Sequence, residues 1–582
     1  MVTVRRDPVR MARASLWAEA VASAVMTVPG MERRSDPRRG LVLRVGLVLT
    51  ATGVASAVLD RRELAGGPAD VAVGLGFGVF AILILLATFR RPPRGAEWVA
   101  IVLAAIVYVG AALALGGGRV GMAAFVAAAV LVMSRTAQHL RPFAVAAFVL
   151  WTPALIVFGP PGVPAVPLAL VVASMATVAY TAAVLVDPSP VHPSVRLRRV
   201  GYGILAIATT ATVVDRHISV ASPGLAPDDL LAIVSAAALA ALAHAPARSS
   251  VRDAGATGLV LATFVLTGMV LILGAPYRAD AVVAPHRAAQ ILISGSDPYR
   301  SFDLPEALSR FGLIPQLATH LENGDVVHAY NYPAFSFLVV APFVAAGVPD
   351  IRWIYLAELF LIALLVTRNL RMSWRPMGLA SIVGNGVIVR QHVLAGIDPT
   401  WILLILGSWL AMHRRWWSPV FIGLAVASRQ TAWFVTPFYL IVVWRRWGRG
   451  EALRRALVSG VVALAVNAPF LVDAPAEFIG GIALPLLAPL EPDGVGAVRF
   501  AIGGLVPLLP RAAYGVLALA AFAAFAVLFV RWPRAVKSAP LVWPFLPLYL
   551  AWRSLQNYFS FLPVFALVAD DELRVEGAAP PD

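Results

Sequence analysis

Residues 256–275 read ATGLVLATFVLTGMVLILGA, a run with no charged side chain. A helix of that length is about 30 Å long, which matches the hydrocarbon core of a bilayer. Runs of similar composition recur along the 582 residues, of which 59% are hydrophobic and 14% charged. Soluble domains carry about 25% charged residues. The sequence therefore predicts an all-α, polytopic transmembrane bundle, because a β-barrel would show short alternating segments.

The formal net charge of +15 comes from short arginine clusters between the apolar runs. Such clusters hold loops in the cytoplasm, so the charge predicts a topology and a lipid bilayer as partner rather than a nucleic acid. The chain has no cysteine, which excludes disulfides and cysteine-ligated metals. Histidines 286, 320 and 328 lack metal-ligand spacing. We expect no metal and no nucleotide cofactor.

Residues 1–40 are arginine-rich, and Glu19 interrupts their one apolar stretch. This favours a basic cytoplasmic segment over a cleaved signal peptide. Residues 41–252 are almost free of ionisable groups within their predicted spans, which is typical of a scaffold bundle whose function the sequence does not indicate. Eight predicted spans lie in this part of the chain, near 41–59, 71–89, 98–116, 119–134, 142–159, 163–186, 200–214 and 229–246. A ninth, near 256–275, begins the next part.

The longest loop, residues 276–331, is expected on the outer face of a plasma membrane. Arginine clusters follow the second, fourth, sixth and eighth spans, which places them inside and this loop outside. Connections in compact proteins are usually much shorter, and long loops tend to carry function. The loop also holds more ionisable groups than any other predicted linker.

The second half predicts segments of two kinds. Residues 333–349 should lie along the outer face, because only one crossing fits between the outer loop and Arg368. Residues 418–444 are too few for two full crossings, which need about 40 residues, and predict a short hairpin with Arg429 and Gln430 at its tip. A cytoplasmic tail, 571–582, ends the chain. Further crossings bring the total to 16–18 hydrophobic segments; they lie near 352–367, 376–390, 398–413, 456–472, 513–531, 539–552 and 555–570.

Two strings near the outer loop carry a recognisable pattern: ADAVVAPHRAAQILISGSDPYR at 279–300 and NYPAF at 331–335. They resemble the C-type glycosyltransferase superfamily (GT-C). The closest members are polyprenol-phosphate-mannose-dependent mannosyltransferases of bacteria and archaea, which read D, then GxDPY, then YPP. RQHVLAGIDPTWILLILGSWLAM at 390–412 and GLAVASRQTAWFVTPFYL at 423–440 are similar to the family's second outer loop and its hairpin. Here YPA replaces YPP, and Arg429 replaces the commoner lysine.

The resemblance implies a GT-C-like catalytic core over residues 253–570. Its activity would be transfer of mannose or another hexose from a polyprenyl-phosphate donor to a lipid-linked or cell-envelope glycan acceptor on the extracytoplasmic side. Asp280 corresponds to the family's outer-loop carboxylate, which accepts the acceptor's proton in an inverting, metal-independent displacement. Independently of the family, inversion needs one carboxylate in that role.

Other candidate residues have a structural interpretation beside the functional one. Arg429 interrupts apolar sequence, and its fork suits a phosphate, although an arginine can also extend to the membrane surface. Asp398 can cap a helix or hold an acceptor hydroxyl, and Asp297 can cap a turn or position the site. The remaining substrate-binding candidates are Tyr299, Arg300, Tyr332, Arg390, His392, Gln430, Trp433 and Arg553.

Two rival functions remain open. A transporter or lipid flippase would show inverted repeats and polar residues near the midplane of several helices. We find no convincing repeat, and the first eight predicted spans are nearly free of ionisable groups. A non-catalytic relative would keep the fold without working roles for Asp280 and Arg429.

Overall fold

The computed structural model describes Tyr202, Leu205, Ala206, Thr209 and residues 227–244, 250–314, 318–370, 375–383, 388–396, 398–494, 497–502, 507–531, 539–562, 564–565 and 567–569. The expectations for residues 1–200 and for the tail after residue 570 lie outside these ranges. The described chain is mostly helical, as predicted.

Sixteen α-helices lie within the described ranges. In chain order they are α1 Pro227–His244, α2 Ser250–Gly274, α3 Asp280–Ile293, α4 Pro298–Ser301, α5 Leu304–Arg310, α6 Phe335–Leu338, α7 Ala341–Ala345, α8 Arg352–Asn369, α9 Arg375–Val383, α10 Thr400–Leu410, α11 Trp417–Val426, α12 Thr431–Asp473, α13 Pro475–Leu487, α14 Ala497–Ile502, α15 Arg511–Arg531 and α16 Ala539–Val542. A π-helix covers Ile388–Leu394, and 3-10 helices cover Trp543–Leu550 and Gln556–Tyr558.

Three helices in the described part of the chain are long and apolar enough to cross a membrane. They are Asp253–Gly274 within α2, α12 and α15. Other predicted spans form shorter elements. In the segment predicted at 376–390, α9 ends at Val383 and the π-helix begins at Ile388. In the segment predicted at 398–413, α10 covers 11 residues. Residues 333–349 form the two short helices α6 and α7.

Helix α12 reverses direction at Gly448, which has φ 87° and ψ 174°. Arg455 donates to the Tyr439 hydroxyl at 3.2 Å, although a straight helix would separate these two residues by about 24 Å. The second half also contacts α11, where Ser459 donates to the Pro419 carbonyl at 2.9 Å. Helix α11, residues 431–447 and residues 449–473 therefore form three antiparallel segments.

An aromatic core joins the 276–331 loop to the end of α12 and the start of α13. The ring of Tyr299 lies 5.5 Å from Tyr330, 5.7 Å from Phe470 and 4.8 Å from Phe478. Phe337 of α6 lies 5.1 Å from Phe470. Most of these pairs are edge-to-face, the arrangement that ring quadrupoles favour. The core fixes α4, α6 and α13 against one another beside the 331–335 turn.

Within the described ranges the fold departs from the all-α prediction in one pair of strands and two isolated β-bridges. Strands β1 Asp493–Gly494 and β2 Arg553–Ser554 pair in parallel, with Asp493 opposite Arg553. The pair is two residues long and joins two loops that are 60 residues apart in the chain. A β-pairing this short has no alternating pattern that a sequence could reveal.

Candidate active site

The NYPAF turn, residues 331–335, is held by groups from three other segments: the tip between α11 and α12, α4, and the second half of α12. Gln430 donates to the Asn331 carbonyl at 2.6 Å, and the Tyr299 hydroxyl donates to the Tyr332 carbonyl at 2.7 Å. The amide of Ala334 donates to Asn467 at 2.9 Å. The amide of residue 335 donates to the carbonyl of residue 427 at 2.9 Å. These bonds satisfy an irregular backbone and fix where the Tyr332 side chain lies.

Arg429 stands at the tip between α11 and α12, against the Tyr332 ring. Its Cζ is 3.9 Å from the ring centroid, a cation–π contact. Its Nη1 donates to Asp398 Oδ2 at 3.0 Å, and the side chains are 8% and 0% exposed. Asp398 is therefore an ion-pair partner, and the amides of Thr400 and Trp401 at the start of α10 also stabilise its charge. The capping interpretation and the site interpretation are compatible here. The charge that made Arg429 costly in an apolar segment is offset by a buried carboxylate.

Part of this ion pair has no hydrogen-bond partner of normal geometry among the described residues. Asp398 Oδ1 is buried and accepts no hydrogen bond of normal geometry from the described residues, although the amides of Thr400 and Trp401 lie near enough to stabilise its charge. Within the same ranges Arg429 donates to Asp398 alone. A guanidinium has five N–H donors, so Arg429 keeps donors for a further acceptor.

Asp280 lies in the first turn of α3, where the helix dipole favours a carboxylate. Its Oδ2 accepts from both the Thr319 amide, at 2.9 Å, and the Thr319 hydroxyl, at 2.6 Å. The hydrogen bonds of the described residues leave Oδ1 without a partner. Thr319 therefore holds the carboxylate in one orientation with one oxygen available.

The charges of Asp280, Asp398 and Arg429 all act on the side chain of Tyr332. Burial raises the pKa of Tyr332 to about 12; the Arg429 charge lowers it, and the charges of Asp280 and Asp398 raise it. Its hydroxyl is therefore protonated at neutral pH. All three charges act on this one side chain, although their segments span about 150 residues of sequence.

Arg352 positions the segments that carry the two carboxylates. Its guanidinium is buried and pairs with Asp350 at 2.6 Å. It also donates to the carbonyls of Ile272 and Ala275, at 3.0 and 2.8 Å, and to that of Leu394 at 3.3 Å. These carbonyls lie at the C-terminal ends of α2 and of the π-helix. Asp280 follows the first of these elements in the chain, and Asp398 follows the second. One side chain thus satisfies otherwise unpaired carbonyls at two helix ends.

Three candidates from the 276–331 loop have structural contacts. The Asp297 side chain accepts from the amides of Tyr299 and Arg300, at 2.7 and 3.1 Å, and so caps α4. Tyr299 is buried in the aromatic core and holds the 331–335 turn. Arg300 is exposed, and it donates to the Asp473 carbonyl. The capping interpretation of Asp297 fits this geometry, and none of the three contacts Arg429 or Asp280.

The remaining candidates occupy varied surroundings. Gln430 holds the 331–335 turn, and Trp433 is 37% exposed and donates to the Val426 carbonyl. His392 is fully buried and lies 3.1 Å from the Ser560 hydroxyl, away from any open surface. Arg553 lies 4.0 Å from Asp493. The side chain of Arg390 is outside the described set.

The sequence interpretation missed two residues of this site. Thr319 lies in a loop stretch without any motif, so nothing local pointed to it. Tyr558 lies in the electrostatic range of both Arg429 and Arg553. Its place a few residues after the candidate Arg553 was the one signal that could have suggested it.

Comparison with known proteins gives no relative. No protein-family model, no curated protein and no solved structure matches the chain.

Proposed function

We propose that the protein is an integral membrane glycosyltransferase of GT-C type. It would transfer a hexose, mannose in the first instance, from a polyprenyl-phosphate donor to a glycan or glycolipid acceptor outside the plasma membrane. The observation that carries the proposal is the buried Arg429, stacked on Tyr332 and paired with Asp398, with Asp280 acting on the same tyrosine.

Arg429 serves the leaving group. Departure of the polyprenyl phosphate places negative charge on phosphate oxygens, and a guanidinium fork stabilises two such oxygens at once. The Tyr332 ring and Asp398 fix the plane of the guanidinium before the donor arrives. A fixed donor costs no reorganisation during the reaction, which is the basis of electrostatic catalysis.

Asp280 serves the acceptor. The acceptor hydroxyl oxygen attacks the anomeric carbon, and the bond from that carbon to the phosphate oxygen breaks with its electron pair on the phosphate. Oδ1 of Asp280 takes the hydroxyl proton, so charge and atoms balance without a cofactor. Thr319 holds Oδ2 and keeps Oδ1 directed at one position.

A lipid phosphate donor fits a membrane protein of this kind. The three long apolar helices would place the protein in the bilayer, which is also where a prenyl tail resides. Soluble nucleotide sugars are absent outside the cell, so a lipid-linked sugar is the donor expected there. Trp433 at the hairpin tip is partly exposed and offers an aromatic surface for the tail or the sugar.

The first experiment tests Asp280→Asn in purified, reconstituted protein with polyprenyl-phosphate mannose and a membrane-extract acceptor. Transfer should fall by about 10²–10⁴-fold, because asparagine cannot accept the proton, while donor binding stays unchanged. Residual transfer above about a tenth of wild type would exclude Asp280 as the base.

The second experiment tests Arg429→Lys, which keeps the charge but loses the fork and the planar stacking. Transfer should fall by about 10²–10³-fold, the usual effect of losing one transition-state donor. Arg310→Lys, at an exposed arginine that pairs with Glu306 and is not a candidate site residue, is the matched control and should keep near-normal transfer. Wild-type protein that moves the donor across liposomes without forming product would favour the flippase alternative instead.

A further inference from the structure

Two arginine-rich segments that lie apart in the sequence meet at the Gly448 end of the α11–α12 hairpin. We name residues 413–417 and 444–455 the basic rim. The Arg454 guanidinium donates to the Arg415 carbonyl at 2.6 Å and lies 4.6 Å from the Trp416 ring centroid. The rings of His413 and Trp447 lie 5.9 Å apart. The two segments therefore form one surface.

This surface is strongly positive. Two arginines in the first segment and five in the second accompany one acidic residue, Glu451. Glu451 pairs with Arg454 at 2.6 Å and with Arg455 at 2.8 Å, and Arg415 lies 3.5 Å from it. Arg414 and Arg449 are exposed. The internal ion pairs thus fix the rim in shape, and the rim's own side chains carry a net positive charge.

The basic rim is also aromatic. Trp416 and Trp417 are 61% and 62% exposed, and Trp444 and Trp447 are each 38% exposed. Tryptophan concentrates at the headgroup level of membranes, because its apolar ring can contact hydrocarbon while its N–H donates a hydrogen bond to water or headgroups. Four exposed tryptophans among seven arginines indicate a boundary between hydrocarbon and water.

The rim and the candidate active site lie at opposite ends of one helical segment. Residues 431–447 run from the Arg429 tip to the rim, a length of about 24 Å. The hydrocarbon core of a bilayer is about 30 Å thick. If Arg429 serves the outer face, the rim meets the headgroups of the cytoplasmic leaflet.

From this placement we infer that the basic rim binds the headgroups of anionic phospholipids in the leaflet opposite the active site. Arginine N–H groups bind the phosphate, and the tryptophans lie along the glycerol and upper acyl region. The inference rests on the membrane insertion in the proposed function and is independent of sugar transfer. A surface arginine near anionic lipid contributes about fivefold in affinity.

The test uses full-length protein in neutral detergent, titrated with phosphatidylglycerol and followed by native mass spectrometry. The variant Arg414→Gln/Arg449→Gln should bind phosphatidylglycerol about 25-fold more weakly. Arg414→Lys/Arg449→Lys should retain most of the binding. The control Arg278→Gln/Arg310→Gln removes two exposed charges outside the rim and should bind as wild type does.

Two further arms identify the ligand. Phosphatidylcholine should bind weakly to the wild type, and glycerol phosphate should not displace phosphatidylglycerol. Raising salt from 0.1 to 1 M should weaken the interaction, because the Debye length falls from about 10 to about 3 Å. Equal phosphatidylglycerol binding by the Arg414/Arg449 glutamine variant and the wild type would overturn the inference, as would equal weakening in the control. Loss of transfer alone would leave it standing.

Discussion

At the scale of single residues, Thr319 is the contact that most directly orients the proposed base. It donates two hydrogen bonds to one oxygen of Asp280. Hydrogen bonds to a charged group are stronger than neutral ones, and they fix direction as well as energy. Thr319 is thus a positioning residue, and its hydroxyl can be removed while its backbone amide remains.

Thr319→Val should lower kcat for sugar transfer about tenfold and leave the donor KM near the wild-type value. The reason is that the hydroxyl contacts Asp280 and not the donor, and a charged hydrogen bond contributes about 1.5–3 kcal/mol. Thr319→Ser keeps the hydroxyl and should stay within about twofold of wild type. A serine variant as slow as the valine one would indicate a packing role for the methyl group instead.

The buried His286 should make the free energy of unfolding depend on pH. Burial lowers the pKa of His286 from 6.5 to about 4, while the nearby Asp350 charge raises it. The ring lies 2.9 Å from the Tyr277 hydroxyl and packs on Phe311. The folded protein therefore holds this histidine neutral at a pH where the unfolded chain protonates it.

Because the unfolded state binds the extra proton, the contribution of His286 to stability is complete above about pH 6.5. It should decline as the pH falls from there to about 4, by a total on the order of 3 kcal/mol. Thermal unfolding in detergent across this range should show a shallower decline for His286→Gln. Parallel curves for the variant and the wild type would contradict this assignment.

At the scale of elements, α13 docks on the turn that carries Tyr332. Gln430 donates to the Ile482 carbonyl at 3.3 Å, and to Asn331 on the turn itself. A methyl group on Gly481 would collide with the Tyr330 carbonyl oxygen, whereas one on Gly480 would meet nothing within 4 Å. Of these two adjacent glycines of α13, Gly481 thus has no room for a side chain, whereas Gly480 does.

Gly481→Ala should shift the Tyr330 backbone, lowering the unfolding temperature by several degrees and transfer by at least tenfold. The backbone carbonyl cannot rotate away as a side chain could, so the overlap costs about 1–3 kcal/mol. Gly480→Ala should be neutral or stabilising, because alanine favours helix by about 1 kcal/mol. Equal behaviour of the two variants in thermal unfolding would refute the docking role of Gly481.

At the scale of the whole molecule, the site and the basic rim imply an orientation. The 276–331 loop and the hairpin tip should face outward, and the rim should face the cytoplasm, as the arginine distribution predicts. A chain without cysteine makes this measurable, since each introduced cysteine reports on one position.

Asn323→Cys in the outer loop should react with a membrane-impermeant maleimide in intact cells. Arg414→Cys in the rim should react only after the cells are made permeable. Both residues are exposed, so access and not burial decides the labelling. The reverse pattern would place the candidate site in the cytoplasm and end the proposed mechanism.

Several features followed from the sequence alone. Apolar runs with few charges predict helices, because a backbone without water must satisfy its hydrogen bonds locally. The short distance between the arginine clusters flanking 418–444 predicted a hairpin with Arg429 at its tip, and α11, the tip and the start of α12 have that form. Asp297 before Pro298 predicted a capped turn, which α4 forms. Each of these depends on residues close in the chain.

The tertiary structure decided which groups meet. Asp398 pairs with Arg429 across 31 residues, and Thr319 reaches Asp280 across 39. Hydropathy specifies that a side chain is buried, but it does not specify its neighbour. That choice depends on how helix faces pack against each other, a property of the folded chain that no local spacing encodes.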